Sequence, residues 1–331
     1  MKADLLHVVE AAYRLDGTDH QWLRAVTNAI GPLLDEGHGV YGVPIDPSDP
    51  AHLYLGKMAC YRGTPAIVRA ILRSNRMASP ADVEQAYRSP PAICTIIEQI
   101  GVDRWRTAAQ PHGPAHIQDC TGVFAVDPTG VGCMVVAPHS QVHRYPARVR
   151  RVWARVVAHL ASMQRLRQAL APAPARSRSE GEAVLSPRGA VEHAEGPARL
   201  GSARTQLREA ALARERARGR LRRQDPEEAV DLWRALVAGR WSIVDRFDRD
   251  GRRFLIAHEN EPAGVGPRAL TARERQVVQY VAMGHPNKLV AYQLGLSVGS
   301  ISAYLSGAMR KLGVASRLDL VRLVLAARAP P

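Results

Sequence analysis

Two histidines and one cysteine in the N-terminal half of the chain have the chemistry and spacing of metal ligands. His112, His116 and Cys120 follow one another at four-residue intervals in the segment PHGPAHIQDC. Imidazole and thiolate groups bind zinc and haem iron, and a helix would bring residues at this interval to one face. Gly113 and Pro114 argue against a helix, so ordinary surface or core histidines are the favoured interpretation. We therefore predict no bound metal and no cofactor.

The same segment raises the question of nucleophilic catalysis, because Cys120 stands close in sequence to His116 and Asp119. Catalytic partners must be adjacent in space, which closeness in sequence does not establish. His139 and His143 repeat the four-residue interval further along, and the same interpretation applies to them. The chain contains no glycine-rich phosphate loop, nucleophile elbow or zinc-protease helix. We predict that the protein is not an enzyme.

The composition describes a chain that can fold and that carries a large positive charge. Hydrophobic residues make up 46% of the 331 residues, and the formal net charge is +14. This surplus favours an anionic partner, either nucleic acid or a membrane surface, although an arginine-rich composition alone could also produce it. The four cysteines form no CxxC pair, and we find neither a secretion signal nor a membrane-length apolar run. We predict a cytoplasmic protein with reduced thiols and no membrane partner.

Residues 1–170 have the pattern of one α+β domain. Helices are predicted at 3–14, 21–34, 65–74, 81–87 and 146–170, and strands at 39–45, 52–61 and in a hairpin over 122–137 with its turn at 127–130. This order of elements resembles a GAF-type sensor domain in architecture, and no residue motif identifies its ligand. The resemblance implies an unidentified small molecule as the signal.

The middle of the chain is predicted to connect this domain to a second one. Residues 171–202 are rich in Ala, Pro, Ser, Gly and Arg, so 171–226 are predicted as a linker that ends in a solvated helix. Leu207, Arg214 and Leu221 on that helix make a poor coiled-coil seam. Residues 227–265 are predicted as a helix followed by a β-hairpin with an Asp-Gly turn. Because a lone hairpin is marginal, it should pack on a neighbouring domain.

The start signals, stop signals and apolar spacing of residues 266–331 predict an all-α domain of four short helices. Thr271 and Glu274 form a capping box, Gly295 supplies a left-handed turn after the second helix, and Ser297 caps the third. Such a turn lets the third helix stand out and enter a DNA major groove. From Arg268 onward nine Lys or Arg oppose two acids, a surplus of seven positive charges.

The outer face of the predicted third helix is small and polar, which suits contact with base edges. The residues predicted to contact DNA are Asn287, Lys288, Ser297, Ser300, Ser302, Ala303, Ser306, Arg310 and Lys311. The Lys and Arg side chains among them would contact phosphates. Ser316 caps a fourth helix whose apolar face is predicted to be a dimer seam, made of Leu320, Val321, Leu323 and Val324.

These residues resemble the LuxR-type helix-turn-helix family of bacterial transcriptional regulators over about residues 266–328. The matching positions are Leu270-Thr271, Arg273-Glu274, Ala282, Gly284, Asn287-Lys288, Val290-Ala291, Leu294, Ser297, Ser300-Ile301, Lys311-Leu312-Gly313-Val314 and Ser316-Arg317. The resemblance implies a dimer that regulates transcription with its third helix in the major groove. Its implied partners are double-stranded DNA, a second copy of the chain and RNA polymerase.

The chain departs from the pattern of this family at three positions. Pro286 stands where the family has an N-capping Ser, Leu289 where an acidic residue is common, and Ser302 where the family has a Lys that contacts DNA. The alternative interpretation is a non-catalytic protein-interaction adaptor with a degenerate helix-turn-helix. Neither the phospho-accepting arrangement of a receiver domain nor the aromatic pattern of acyl-homoserine-lactone receptors is found, so neither signal is carried over.

Overall fold

A computed structural model describes residues 4–46, 53–87, 90–126, 132–171, 181–248, 250–260 and 270–326. The chain divides into two compact units. The first consists of Met1–Arg178 with Glu215–Leu232, and the second of Ser179–Arg214 with Trp233–Pro331. The first is an α+β unit, and the second ends in the predicted all-α domain.

The N-terminal part of the first unit contains the five predicted helices, which begin and end close to the predicted residues, and two short helices that were not predicted. They are α1 (Leu5–Ala12), α2 (Asp19–Leu34), α3 (Pro65–Arg76), α4 (Pro80–Tyr87), α5 (Ile96–Ile100), α6 (Val102–Arg104) and α7 (Ala147–Leu170), with a π-helical turn at Trp105–Ala109 and a 3-10 turn at Gln110–His112. Thr18 starts α2 with a capping box, and Thr64 accepts a hydrogen bond from the backbone N–H of Ile67 at the start of α3.

Six antiparallel strands form the sheet of the first unit. They are β1 (Val40–Asp46), β2 (Tyr54–Leu55), β3 (Ala59–Tyr61), β4 (Ile93–Thr95), β5 (Asp119–Val126) and β6 (Gly132–His139), in the order β2-β1-β6-β5-β4 with β3 also paired to β1. The predicted hairpin is β5 with β6, and its predicted turn at 127–130 lies outside the described residues. The strand predicted at 52–61 is two short strands. β6 is buried along its whole length, as expected of a strand covered on both faces.

The structure corrects the prediction of a linker over the described residues 181–202. These residues form β7 (Ala183–Leu185), β8 (Val191–Ala194), a 3-10 turn at Gly196–Arg199 and the start of α8 (Gly201–Arg216). The predicted hairpin is β9 (Trp241–Phe247) with β10 (Arg253–Glu259), and β7 and β8 extend it to a four-stranded sheet in the order β8-β7-β10-β9. These residues fold despite their low apolar content, because small alanines allow α8 to approach the sheet closely.

Helix α8 is packed rather than solvated. Ala203, Leu207 and Ala211 are fully or almost fully buried in one core cluster with Leu185, Ile243 and other residues of the sheet. Only its opposite face carries exposed polar side chains. The prediction of a solvated helix is therefore wrong, because one narrow alanine-rich stripe of α8 is buried.

The chain then returns to the first unit through a π-helical turn at Ala217–Leu221, α9 (Arg222–Gln224) and α10 (Pro226–Leu232). Two arginines of this segment pair with acids of α1 and its N-cap. Arg218 lies 3.1 Å from Glu10, and Arg222 lies 2.7 Å from Asp4. The helix predicted at the start of residues 227–265 ends at Leu232, and the turn before β9 contains two residues with positive φ, Ala238 and Gly239.

Four helices complete the second unit and match the prediction. They are α11 (Ala272–Ala282), α12 (Asn287–Leu294), α13 (Val298–Leu312) and α14 (Arg317–Ala326), around a core that includes Val277, Val281, Val290, Leu294, Ile301, Leu305 and Leu320. Within the described residues no single helix is long and apolar enough to cross a membrane. α12 and α13 reach the length and apolar content of a membrane span only when they are combined, but they are bent by 107° to each other. Their apolar side chains belong to this core.

Candidate nucleic-acid interface

The start of α11 is joined to the end of α13 through one carboxylate. Thr271 and Glu274 form the predicted capping box, with Glu274 Oε2 2.7 Å from the Thr271 backbone N. The same oxygen accepts a hydrogen bond from Lys311 Nζ at 2.7 Å. The Lys311 hydrogen bond, helped by the Thr271 backbone, lowers the pKa of Glu274. Lys311 was predicted as a phosphate contact, and this contact stays a prediction, because the Lys311 side chain is 36% exposed although its ammonium forms this ion pair.

The tight turn between α12 and α13 depends on Gly295. Its φ of +61° is in the left-handed region, and a Cβ at this position would overlap the backbone carbonyl oxygen of Leu236. Ser297 follows as the N-cap of α13 and accepts a hydrogen bond from the Ser300 backbone N at 3.0 Å. The axes of the two helices turn by 107°, within the range of about 90–120° that is typical of helix-turn-helix motifs.

The N-terminus of α12 is held by an arginine that the sequence analysis did not assign to the site. Arg317 donates to Asn287 Oδ1 at 2.7 Å and to the His285 carbonyl oxygen at 2.5 Å. Asn287 Nδ2 lies 3.4 Å from Ser302 Oγ on α13. Pro286 makes no side-chain capping bond, so Arg317 and Asn287 position the start of this helix instead. The side chain of Asn287, a predicted DNA contact, thus already makes hydrogen bonds within the domain.

The outer face of α13 is free of packing, as predicted. Ser302, Ala303, Ser306 and Arg310 are exposed, whereas Ile301, Leu305 and Ala308 on the opposite face are buried. Exposed Lys288 extends the positive charge onto α12. Small polar side chains flanked by cations can approach base edges and phosphates at the same time.

Comparison with known proteins agrees with this geometry. Residues 268–324 match the family model of bacterial regulatory proteins of the luxR family. The C-terminal domain is a LuxR-family helix-turn-helix. The match runs from α11 into α14 and includes the exposed residues of α12 and α13 described above.

Several curated proteins are similar over part of their length. The transcriptional regulatory protein FixJ of Azorhizobium caulinodans is 34% identical over 99 residues, which cover 29% of this chain and 44% of FixJ. FixJ of Rhizobium meliloti is 38% identical over 88 residues, covering 25% and 43%, and the response regulator Rre1 of Synechocystis is 31% identical over 115 residues, covering 30% and 50%. The chain therefore spans at most about half the length of the curated relatives that it matches.

A crystal structure of Escherichia coli SdiA aligns with 85% of this chain and 80% of SdiA, at a TM-score of 0.21 and 8% identity.

The last helix of the LuxR-type domain differs from the predicted dimer seam. Leu320 and Val324 are 0% and 6% exposed and pack in the core of the domain, and Val321 is partly buried against it. Leu323 is the member of the predicted set that stays exposed, and Leu318 on the same helix is exposed as well. The correction has a simple cause, since a four-helix domain of this size needs an apolar face of its last helix to close its own core.

Among the described residues, His112, His116 and Cys120 do not form a group of converging metal ligands. Cys120 lies on β5, where burial, with a contribution from the Asp119 carboxylate, raises the pKa of its thiol and disfavours a thiolate nucleophile. His116 stacks against His38 with ring centroids 5.1 Å apart. Within the described residues, the group of potential metal ligands that do converge consists of Glu36, His139 and His143.

Proposed function

We propose that this chain is a sequence-specific, non-catalytic transcriptional regulator that inserts α13 of its LuxR-type domain into the major groove. The exposed polar face of α13, flanked by Lys288 and Arg310, is the observation that carries the proposal. The names of the FixJ and Rre1 relatives support it over an interaction adaptor. A second copy of the chain and RNA polymerase are its proposed protein partners.

Selection of duplexes from a random pool, followed by anisotropy titration of the enriched duplex, tests this proposal. We expect log K to fall linearly with log salt concentration, with a slope of about −0.9 for each phosphate contact. Affinity that does not change with salt, or no enrichment of any sequence, would contradict DNA reading by this domain.

Two substitutions should separate phosphate contacts from base contacts. Lys288→Ala should weaken binding to all duplexes alike and reduce the salt slope by about 1, because one counterion-releasing contact is lost. Ser302→Ala should leave the slope unchanged and relax the preference for the enriched sequence. Lys57→Ala is the matched control, because Lys57 is an exposed lysine of the first unit. An equal effect of Lys57→Ala and Lys288→Ala would remove α12 from the interface.

We further propose that the first unit is the sensor and that its ligand occupies a cavity beside the sheet. The cavity measures about 160 Å³ and is lined mainly by apolar side chains of α3, α5, β6 and the adjoining turns. An apolar cavity of about 150 Å³ is large enough for a single benzene ring. Trp105 lies in the wall, is 6% exposed, and its indole Nε1 has no hydrogen-bond partner among the described residues. An uncharged aromatic ring with one acceptor atom fits this chemistry.

Benzaldehyde and toluene form a matched pair of probes for the cavity. Both rings should bind, and benzaldehyde should bind more tightly because its carbonyl oxygen can accept the Trp105 N–H. Trp105→Phe should reduce the benzaldehyde affinity by about 2–10-fold, the equivalent of one net hydrogen bond, and leave that of toluene unchanged. Calorimetric titration measures the affinities for benzaldehyde and for toluene. Failure of both rings to bind, or an equal effect of the substitution on them, would exclude this assignment.

A further inference from the structure

Three side chains from separate parts of the first unit converge at one edge of its sheet. Glu36 lies between α2 and β1, His139 is the last residue of β6, and His143 lies in the segment that leads to α7. Their ligand atoms all lie within 4.8 Å of one another. Glu36 Oε2 is 3.0 Å from His139 Nδ1 and 3.2 Å from His143 Nε2.

The sheet explains why residues so distant in sequence meet. β1 and β6 are antiparallel neighbours in which Tyr41 pairs with Val136, so the start of β1 lies beside the end of β6. The turn before β1 therefore delivers Glu36 to His139. The rings of His139 and His143 then pack together, with centroids 4.2 Å apart.

The environment of His139 points to a ligand rather than to a simple ion pair. Its side chain is 2% exposed, and its Nδ1 makes no aligned hydrogen bond within the described residues although Glu36 is close. A buried ring nitrogen without a hydrogen-bond partner is rare in folded proteins. Nδ1 and the Glu36 carboxylate oxygen lie 3.0 Å apart, so a metal ion placed beside both atoms could bind them together.

A second layer of hydrogen bonds orients the same ring. Thr121 Oγ1 lies 2.7 Å from His139 Nε2, and it also lies 2.6 Å from the Tyr145 hydroxyl. With Nε2–H donating to Thr121, Nδ1 keeps its lone pair and faces Glu36. Metal-binding histidines are oriented in this way, by a hydrogen bond from the ring nitrogen that does not bind the metal.

We propose that Glu36, His139 and His143 bind one divalent first-row transition-metal ion, through a carboxylate oxygen, Nδ1 and Nε2 respectively. In a tetrahedral site with metal–ligand bonds of about 2.0–2.1 Å, ligand atoms are about 3.3–3.4 Å apart, close to the separations here. Two histidines and one carboxylate also leave a position open for water or a small ligand. Exposure of Glu36 and His143 gives the ion a path from solvent.

Binding of Co²⁺ and Zn²⁺ to the tag-free full chain at pH 7.5 tests the proposal. We expect one Co²⁺ per chain, with visible d–d absorption, and displacement by one Zn²⁺. His143→Ala and Glu36→Gln, both partly exposed positions, should each weaken Co²⁺ binding at least about 100-fold. Thr121→Val should weaken it about 10-fold, since loss of an outer hydrogen bond typically reduces metal affinity by 10–100-fold.

His193→Ala provides the control. His193 and Glu195 form an exposed pair 3.1 Å apart in the second unit, and neither belongs to a group of three converging ligands. This variant should bind Co²⁺ as the unaltered chain does. Far-UV circular dichroism checks that each variant is folded. Absence of stoichiometric binding by the unaltered chain, or full binding by folded His143→Ala and Glu36→Gln, would overturn the assignment.

Discussion

Gly295→Ala should unfold the helix-turn-helix at denaturant concentrations that leave the unaltered domain intact, and DNA binding should be lost with it. We expect a loss of about 2–6 kcal/mol in the free energy of unfolding. Left-handed backbone accounts for about 1–3 kcal/mol of this when the residue is not glycine. Overlap of the new Cβ with the backbone carbonyl oxygen of Leu236 adds about 1–3 kcal/mol, because neither backbone can move without disturbing a buried core.

Gly313→Ala is the matched control for this prediction. Gly313 follows α13 as Gly295 follows α12, with a φ of +66°, but nothing lies within 4 Å of the position a Cβ would take. Its substitution should show only the backbone penalty, about 1–3 kcal/mol. Urea unfolding followed by circular dichroism compares the two variants. Equal losses would show that contact with Leu236 does not restrict the turn.

Arg214→Ala should destabilise the second unit by about 3–5 kcal/mol, the usual consequence of removing one partner from a buried ion pair. The Arg214 side chain is 3% exposed and lies 3.2 Å from Asp245 Oδ2 on β9. Its guanidinium also donates to the Ile243 carbonyl oxygen and stacks on Trp233, with Cζ 4.2 Å from the ring centroid. The substitution leaves the partly buried Asp245 carboxylate without its closest cation and opens a gap between α8 and the sheet.

Arg216→Ala tests whether the loss of stability comes from removing a buried arginine or from removing any positive charge on α8. Arg216 lies two residues along the same helix and is exposed, so its loss should change the free energy of unfolding by no more than about 0.5 kcal/mol. Thermal unfolding by calorimetry, with the second unit followed as a separate transition, measures both variants. A loss below about 1 kcal/mol for Arg214→Ala would mean that the pair does not hold α8 in place.

Local signals in the sequence were sufficient for the helix-turn-helix. Thr271, Gly295 and Ser297 each act on backbone groups within a few residues, so their roles as caps and turn residue follow from residue type and position alone. Apolar spacing likewise identified the inner face of α13, where Ile301 and Leu305 are buried. The remaining residues of the helix could then be assigned to its outer face. The contacts of this face with bases stay a prediction.

Partners remote in sequence were not predictable in the same way. Arg214 looked like a solvated seam residue because Asp245 lies 31 residues further along the chain. The ion pair between Lys311 and Glu274 was not predicted, because Glu274 precedes Lys311 by 37 residues. Leu320 was placed in a dimer seam because an apolar helical face has the same pattern whether it packs within one chain or between two.

By itself the sequence determined most of the longer helices, the β5–β6 and β9–β10 hairpins and the helix-turn-helix, since these depend on short-range periodicity, capping and turn chemistry. Only the tertiary structure decided that residues 181–202 complete a sheet and that Glu36 meets His143, 107 residues away. Strand pairing and side-chain convergence depend on register between distant segments. No residue carries that information alone, because many registers satisfy the same local preferences and packing of the whole core selects among them.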